Sequence, residues 1–310
     1  METYMRPKKE IKLVHFQITK NCNLRCPFCG QWGGKGFFAS ANGEALKLEE
    51  WLGIANELKT MSPLPKIILW GGEPLVCPFF DELAEKLFEM GFTLQLITNG
   101  TLIDRNIDVI RNYFERVYVS VDGLRELHDS IRGNGTFDTV RKNILMLESK
   151  KVTIMTVATP SLDIVPFAKE FSDYKILLQT MIALSEAEAE DYKAWLEESF
   201  AEKATEIDSW CMQGFEPSFS DLPKNVIFMG HGRNAKNEFC LSPFRHIHIS
   251  WNGSLLYCTD FYDFSAGNVR DDSVINIFNN ERSEKFRQEV LSGGCVTCSH
   301  CSWRNNIDFY

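Results

Sequence analysis

Leu13-Val14-His15-Phe16-Gln17-Ile18-Thr19, followed almost at once by Cys22-Asn23-Leu24-Arg25-Cys26-Pro27-Phe28-Cys29, is the stretch from which the rest of the chain can be read. An apolar, β-rich run delivers three thiols at C-x3-C-x2-C spacing in one loop, so they can bind on one face of a metal site. They supply three ligands, whereas an iron-sulfur cube takes four. One iron would be left open for an outside ligand. Zinc is the alternative, but it favours paired C-x2-C knuckles closed at four ligands, and no His or Cys lies immediately downstream to finish a tetrahedron.

Outward from that loop the chain alternates short strands with helical-period segments. The pattern predicts strands at Leu13 to Thr19, Lys66 to Trp70, Thr93 to Ile97, Arg116 to Val121, Val152 to Ala158 and Lys175 to Thr180. Helices are expected over Leu48 to Met61, Phe79 to Met90, Asp104 to Tyr113, Phe137 to Ser149 and Ile164 to Phe171. Serial β/α units imply a parallel sheet with right-handed crossovers. Six units give an α/β fold, a partial (β/α)6 barrel of TIM type, short of the eight that close.

In such barrels ligands sit at the carboxyl ends of the strands. The unusual residues fall there: the Cys triplet after the first strand, Gly71-Gly72-Glu73-Pro74 after the second, Thr98-Asn99-Gly100 after the third and Asp122-Gly123 after the fourth. Turn chemistry accounts for the Asn-Gly and Asp-Gly pairs. The glycine pair beside a carboxylate goes further, since it lets backbone approach a ligand and suits an ammonium group. Arg132 could pair bidentately with a carboxylate. An amino-acid-like ligand would use both.

The cysteine triplet with Phe28 before its last thiol, followed by Gly-Gly-Glu-Pro after the next strand, resembles the radical S-adenosylmethionine (radical SAM) enzymes over Leu13 to about Thr180. The resemblance implies a [4Fe-4S] cluster on Cys22, Cys26 and Cys29, with SAM on the open iron. It implies further that Gly71, Gly72, Glu73 and Pro74 meet the amine, Arg132 the carboxylate and Phe28 the adenine. Asn99, Ser120 and Asp122 would form the rim around sugar or substrate. No catalytic residue is assigned. Cys77 reads as a buried thiol.

The segment from Ser185 to Asp208 is an acidic amphipathic stretch, and Trp210 to Lys236, which includes Cys211, is irregular. Residues 183–236 are therefore expected to form a helical linker or a lid between a core at 1–182 and a small domain at 237–310. That domain should be a β-hairpin, His246 to Trp251 and Ser254 to Tyr257, followed by a helix, Val274 to Leu291. Five cysteines, Cys240, Cys258, Cys295, Cys298 and Cys301, surround it. Alone they suit zinc as well as iron and sulfur. Beside the first motif they resemble the SPASM/twitch extension, which implies one auxiliary [4Fe-4S] cluster on Cys240, Cys258 and two of the last three, Cys298 and Cys301 being favoured before Trp303.

With 310 residues, ordinary globular composition and no apolar run of membrane length, the chain is expected to be cytoplasmic. A net charge of -9 argues against a nucleic-acid partner. The resemblance implies reductive cleavage of SAM, hydrogen abstraction from substrate and a flavodoxin- or ferredoxin-type reductant. Dehydrogenation of a hydroxylated small molecule, such as a cyclitol or sugar, is the first expectation, because the chain starts almost directly at its first strand. Modification of a ribosomal peptide is the second. A zinc or iron-sulfur binding protein without turnover is a third, and it leaves the glycine motif and Arg132 unexplained.

Overall fold

A computed structural model describes residues 7–26, 29–32, 43–158, 161–180, 226–229, 240–259 and 264–295. The first strand, β1 (Leu13–Thr19), is buried at all seven positions. Val14, Phe16 and Ile18 pack in the core under the helices, while Leu13, His15, Gln17 and Thr19 alternate to the barrel interior. The series continues with β2 (Lys66–Gly71), β3 (Leu94–Thr98), β4 (Phe114–Ser120), β5 (Val152–Ala158) and β6 (Lys175–Thr180). Helices α1 (Leu48–Leu58), α2 (Phe80–Glu89), α3 (Ile107–Tyr113), α4 (Arg125–Arg132), α5 (Thr136–Ile144) and α6 (Ile164–Glu170) fall between them. The expected α/β fold is present, with α4 as an addition whose eight residues contain little apolar surface to read.

The sheet does not stop at six strands. On the far side of β6 it gains β7 (Val226–Met229), which lies inside the stretch expected to link two domains. The rest of that stretch lies outside the described residues. On the near side of β1 it gains β8 (His246–Ile249), which runs parallel to β1 with Leu13 opposite His246 and Phe16 opposite Ile249. From β8 through β1 to β7 every neighbouring pair is parallel. The expected hairpin exists, since β9 (Ser254–Leu256) pairs antiparallel with β8, and β10 (Gly267–Asn268) follows β9. Its first strand, however, belongs to the barrel sheet.

One apolar core runs beneath the helices. Phe16 packs at a tilt against fully buried Trp51 of α1, ring centroids 4.8 Å apart, and Phe80 stacks on Phe114 at 5.7 Å. Ile247 and Ile249 of β8 enter the same core, as do Val274, Ile277 and Phe286 from the helices that follow. Burial of each such side chain contributes about 1.5–3 kcal/mol. The single helix expected over Val274 to Leu291 is two: α8 (Val274–Asn279) and α9 (Glu281–Ser292), preceded by the short α7 (Ser242–Arg245). Asn280 divides them. Its backbone is extended, and its side chain accepts from the Ser283 amide as the cap of α9.

Shortening Ile249 to Ala should cost about 2–5 kcal/mol. Hydrogen exchange should then speed up in the amides of β1 as well as β8; faster exchange confined to β8 and β9 would show that the hairpin is an independent unit.

Candidate functional site

The loop after β1 is built from the inside. Arg25 donates Nη1 to the carbonyls of Cys22 and Leu24, both at 2.7 Å, and lies over the Trp32 ring at 4.4 Å. Trp32 donates Nε1 to the Lys20 carbonyl at 2.7 Å. Cys22 and Cys29 are half-buried and Cys26 is buried. Burial pushes the Cys22 and Cys26 thiols up, while the Arg132 guanidinium pulls Cys26 down. Among the described residues no three His, Cys, Asp or Glu side chains converge on a position for a single ion. A cube makes a different demand, because each thiolate takes its own iron. Phe28 lies outside the described residues.

The glycine pair makes room first for this loop. A Cβ on Gly71 would stand 2.4 Å from the Thr19 carbonyl oxygen, and one on Gly72 2.3 Å from that of Asn21. The Gly72 and Glu73 amides donate to those same carbonyls at 2.9 and 2.8 Å. The amides are thus engaged, and an ammonium ligand would call on carbonyls. Pro74 is buried and opens a tight helical turn, Pro74–Val76.

Glu73, expected to meet an amine, is fully buried and points elsewhere. Its carboxylate accepts from Thr98 Oγ1 at 2.7 Å, the Asn99 amide at 2.7 Å and the Leu75 amide at 3.1 Å. It straps the β2 loop to the β3 loop. Asn99, expected on the rim, faces the cysteine loop instead: Nδ2 lies 2.9 Å from Asn23 Oδ1 and 3.9 Å from Cys22 Sγ. Ser120 is half-buried at the end of β4.

Arg132 does bind a carboxylate, that of Asp122. Its Nε donates to Asp122 Oδ2 at 2.6 Å, and the Asp122 side chain is 2 % exposed. Asp122 Oδ1 accepts from the Val157 amide at 3.2 Å, and its own amide donates to His128 Nδ1 at 3.2 Å. Burial pushes the fully buried His128 down to about 4, so it is neutral near pH 7. Its Nε2 has no hydrogen-bond partner among the described residues. Cys77 is a buried thiol raised to about 11 by burial, as its apolar setting suggests.

Cys240 and Cys258 of the second cysteine set lie toward the other end of β1. Cys240 precedes α7 and β8, and Cys258 follows β9, both half-buried. Since His246 lies opposite Leu13 and Leu256 opposite His248, both flank the start of β1, while Cys22 to Cys29 follow its end. Cys295 is buried. Cys298 and Cys301 lie outside the described residues.

Sequence reasoning missed Arg287. Fully buried on α9, it donates to the Pro243 carbonyl at 2.8 Å and the Phe278 carbonyl at 2.6 Å, and lies 3.3 Å from the Tyr257 hydroxyl. Ser242 Oγ donates to the Tyr257 carbonyl. Arg287 therefore joins the segments that carry Cys240 and Cys258 to the helix that leads to Cys295. Nothing in the surrounding Glu281-Arg282-Ser283-Glu284 pattern separates it from a solvated charge.

Residues 16–167 match the radical SAM superfamily, and residues 240–302 match SPASM, an iron-sulfur cluster-binding domain. AdoMet-dependent heme synthase of Methanosarcina barkeri is 26% identical over 93% of this chain and 88% of its own. SuiB of Streptococcus suis bound to S-adenosylmethionine superposes with a TM-score of 0.65 at 15% identity, over 95% of this chain and 72% of SuiB. SuiB has also been solved bound to the precursor peptide SuiA. BtrN in complex with AdoMet and 2-DOIA superposes with a TM-score of 0.56 at 14% identity, over 95% of this chain and 94% of BtrN.

Two outcomes are expected. In metal-free protein, burial raises folded Glu73 to about 7, whereas an unfolded Glu releases its proton near ~4.3. The folded state then binds more protons between those values, so stability present below the lower value is lost as pH rises through the upper one. Glu73→Gln should flatten that decline in denaturant titrations. Arg287→Met leaves buried carbonyls unpaired at about 1–3 kcal/mol each; it should lower the melting temperature and reduce iron bound at the C-terminal site while leaving iron at the Cys22 loop.

Proposed function

Because this chain belongs to the radical SAM superfamily and carries a C-terminal SPASM iron-sulfur domain, we propose that it uses Cys22, Cys26 and Cys29 as ligands of a SAM-binding [4Fe-4S] cluster and abstracts a hydrogen atom from an uncharged, largely apolar group of its substrate. The donor set fits, with three sulfurs in one loop, the Arg132 guanidinium near Cys26, and a backbone approach that only glycine allows at Gly71 and Gly72. A cluster with SAM bound there supplies the 5'-deoxyadenosyl radical by reductive cleavage of SAM. The protein's own part is to hold the loops: Glu73 fixes the β2 and β3 loops, and the Arg132–Asp122 pair fixes the β4 loop to β5. Cys240 and Cys258, with two of Cys295, Cys298 and Cys301, are proposed to hold an auxiliary [4Fe-4S] cluster as the electron acceptor.

The observation that carries the substrate reading is the inner face. Trp70, Ile97, Ser120, Met155, Val157 and Gln179 are half-buried. Their strand neighbours Leu69, Leu96, Val119, Ile154 and Leu178 pack in the core under the helices. By the alternation of a strand, these six face the interior. Trp70 Nε1 and Gln179 Nε2 have no hydrogen-bond partner among the described residues. The half-buried part of this face is mostly apolar, beside buried His15, Gln17, Gln95 and His248, which the same alternation turns inward; with Glu73 and Asp122 committed elsewhere, it supports an uncharged peptide side chain as the group that enters. Ser120 and Gln179 favour the second reading, dehydrogenation of a hydroxylated small molecule.

Anaerobic iron and sulfide analysis with EPR tests the assignment. Wild type should hold about eight irons and the Cys22, Cys26, Cys29 triple Ala variant about four, at four per cube. Four in wild type, all lost in the variant, would remove the auxiliary cluster and with it the electron acceptor.

A further inference from the structure

We propose that Asn99 is a positioning and tuning residue for the cluster loop: its carboxamide donates an N–H to the Cys22 sulfur and raises the reduction potential of the cluster that Cys22 helps to hold. This rests on the ligand assignment above. The Asn99 backbone is pinned, since its amide donates to Glu73 Oε2 at 2.7 Å. Its side-chain oxygen accepts from the Thr101 amide at 3.0 Å and from Thr101 Oγ1 at 2.6 Å. Two donors on one atom require that atom to be the oxygen, so the other end of the carboxamide must be the NH2. That end faces Asn23 Oδ1 at 2.9 Å and Cys22 Sγ at 3.9 Å. Asn23 closes the ring by donating Nδ2 to Thr101 Oγ1 at 2.9 Å.

The ring joins the loop after β1 to the loop after β3 and leaves one N–H aimed at sulfur. A second donor, the Leu24 amide, reaches the same Sγ at 3.4 Å. Asn99 is 7% exposed, so water competes little for this bond. When a cluster takes up one electron from a low-potential protein reductant, or from dithionite in an assay, no bond breaks and its sulfurs become more negative. Hydrogen bonds to the sulfurs stabilise that reduced form and set the potential. The effect of Asn99 is therefore to ease arrival of the electron.

The test uses the full chain with its clusters, as wild type, Asn99→Leu and Thr101→Val. Leu removes the donor at similar volume, whereas Val keeps the carboxamide but removes the hydroxyl that orients it. Iron is counted, and the EPR signal that responds to SAM is titrated against potential. The expected result is full iron content with a lower midpoint in Asn99→Leu, so that the ratio of reduced to oxidised cluster at the wild-type midpoint falls on the order of tenfold, about 59 mV for one electron. Thr101→Val should shift the same way by less, and an exchangeable-proton hyperfine coupling should vanish in Asn99→Leu. Full iron with an unchanged midpoint overturns the inference. So does loss of iron in both variants, since Asn99 would then merely hold the loop. If Asn99→Leu alone loses iron, the Thr101→Val midpoint decides: lowered supports, unchanged overturns. Wild type without any SAM-responsive signal removes the ligand assignment itself.

Discussion

Everything in this molecule depends on β1 being paired on both edges. Seven buried residues hydrogen-bond in parallel to β2 on one side and, along their first half, to β8 on the other. A parallel strand cannot be left exposed at little cost, because its amides and carbonyls need partners and its apolar face needs cover. Supplying that partner from residue 246 onward joins the C-terminal part of the chain to the barrel and places Cys240 and Cys258 toward the opposite end of β1 from Cys22, Cys26 and Cys29. At about 3.3 Å per residue, β1 spans roughly 20 Å.

Above β1, buried carboxylates do the joining. Glu73 and Asp122 are both closed to solvent, and each links the loop after its own strand to a neighbouring strand or loop, through Thr98 and Asn99 in one case and Val157 in the other. The costs of desolvation differ accordingly. Asp122 has the Arg132 guanidinium as a direct counter-charge, whereas Glu73 has only neutral donors at bonding distance and is raised to about 7. A cysteine loop must keep its sulfurs in register while a bulky ligand enters and leaves, and these ties make the surrounding backbone rigid without relying on that ligand. Below β1, Arg287 plays the corresponding part, with aromatic faces as well as carbonyls around it: the Phe278 ring lies 4.4 Å from its guanidinium carbon.

The sequence by itself determined the local chemistry. The cysteine spacing, the glycine pair and the alternation of strands and helices are short-range patterns, each set within a few residues. They were enough for the strand series from β1 to β6, the α/β fold, the radical SAM superfamily and the second iron-sulfur domain. Expected and observed strand ends differ by at most two residues. Helix ends moved further where caps overrode periodicity, as at Asn280, and the long segment around it became two helices.

Only the tertiary structure decided which partners those residues take. A carboxylate in a Gly-Gly-Glu motif has the same spacing whether it faces a ligand or a neighbouring loop, and here Glu73 faces Thr98 and Asn99. Asn99 in an Asn-Gly turn does not announce that its carboxamide will point at a cysteine two strands away in the sheet. Nor does His246 to Ile249, read as half of a hairpin, show that its free edge will meet β1. Hydrogen-bond partners far apart in sequence leave no periodicity, because they are chosen by the closing of the sheet and the burial of polar groups that must then be satisfied.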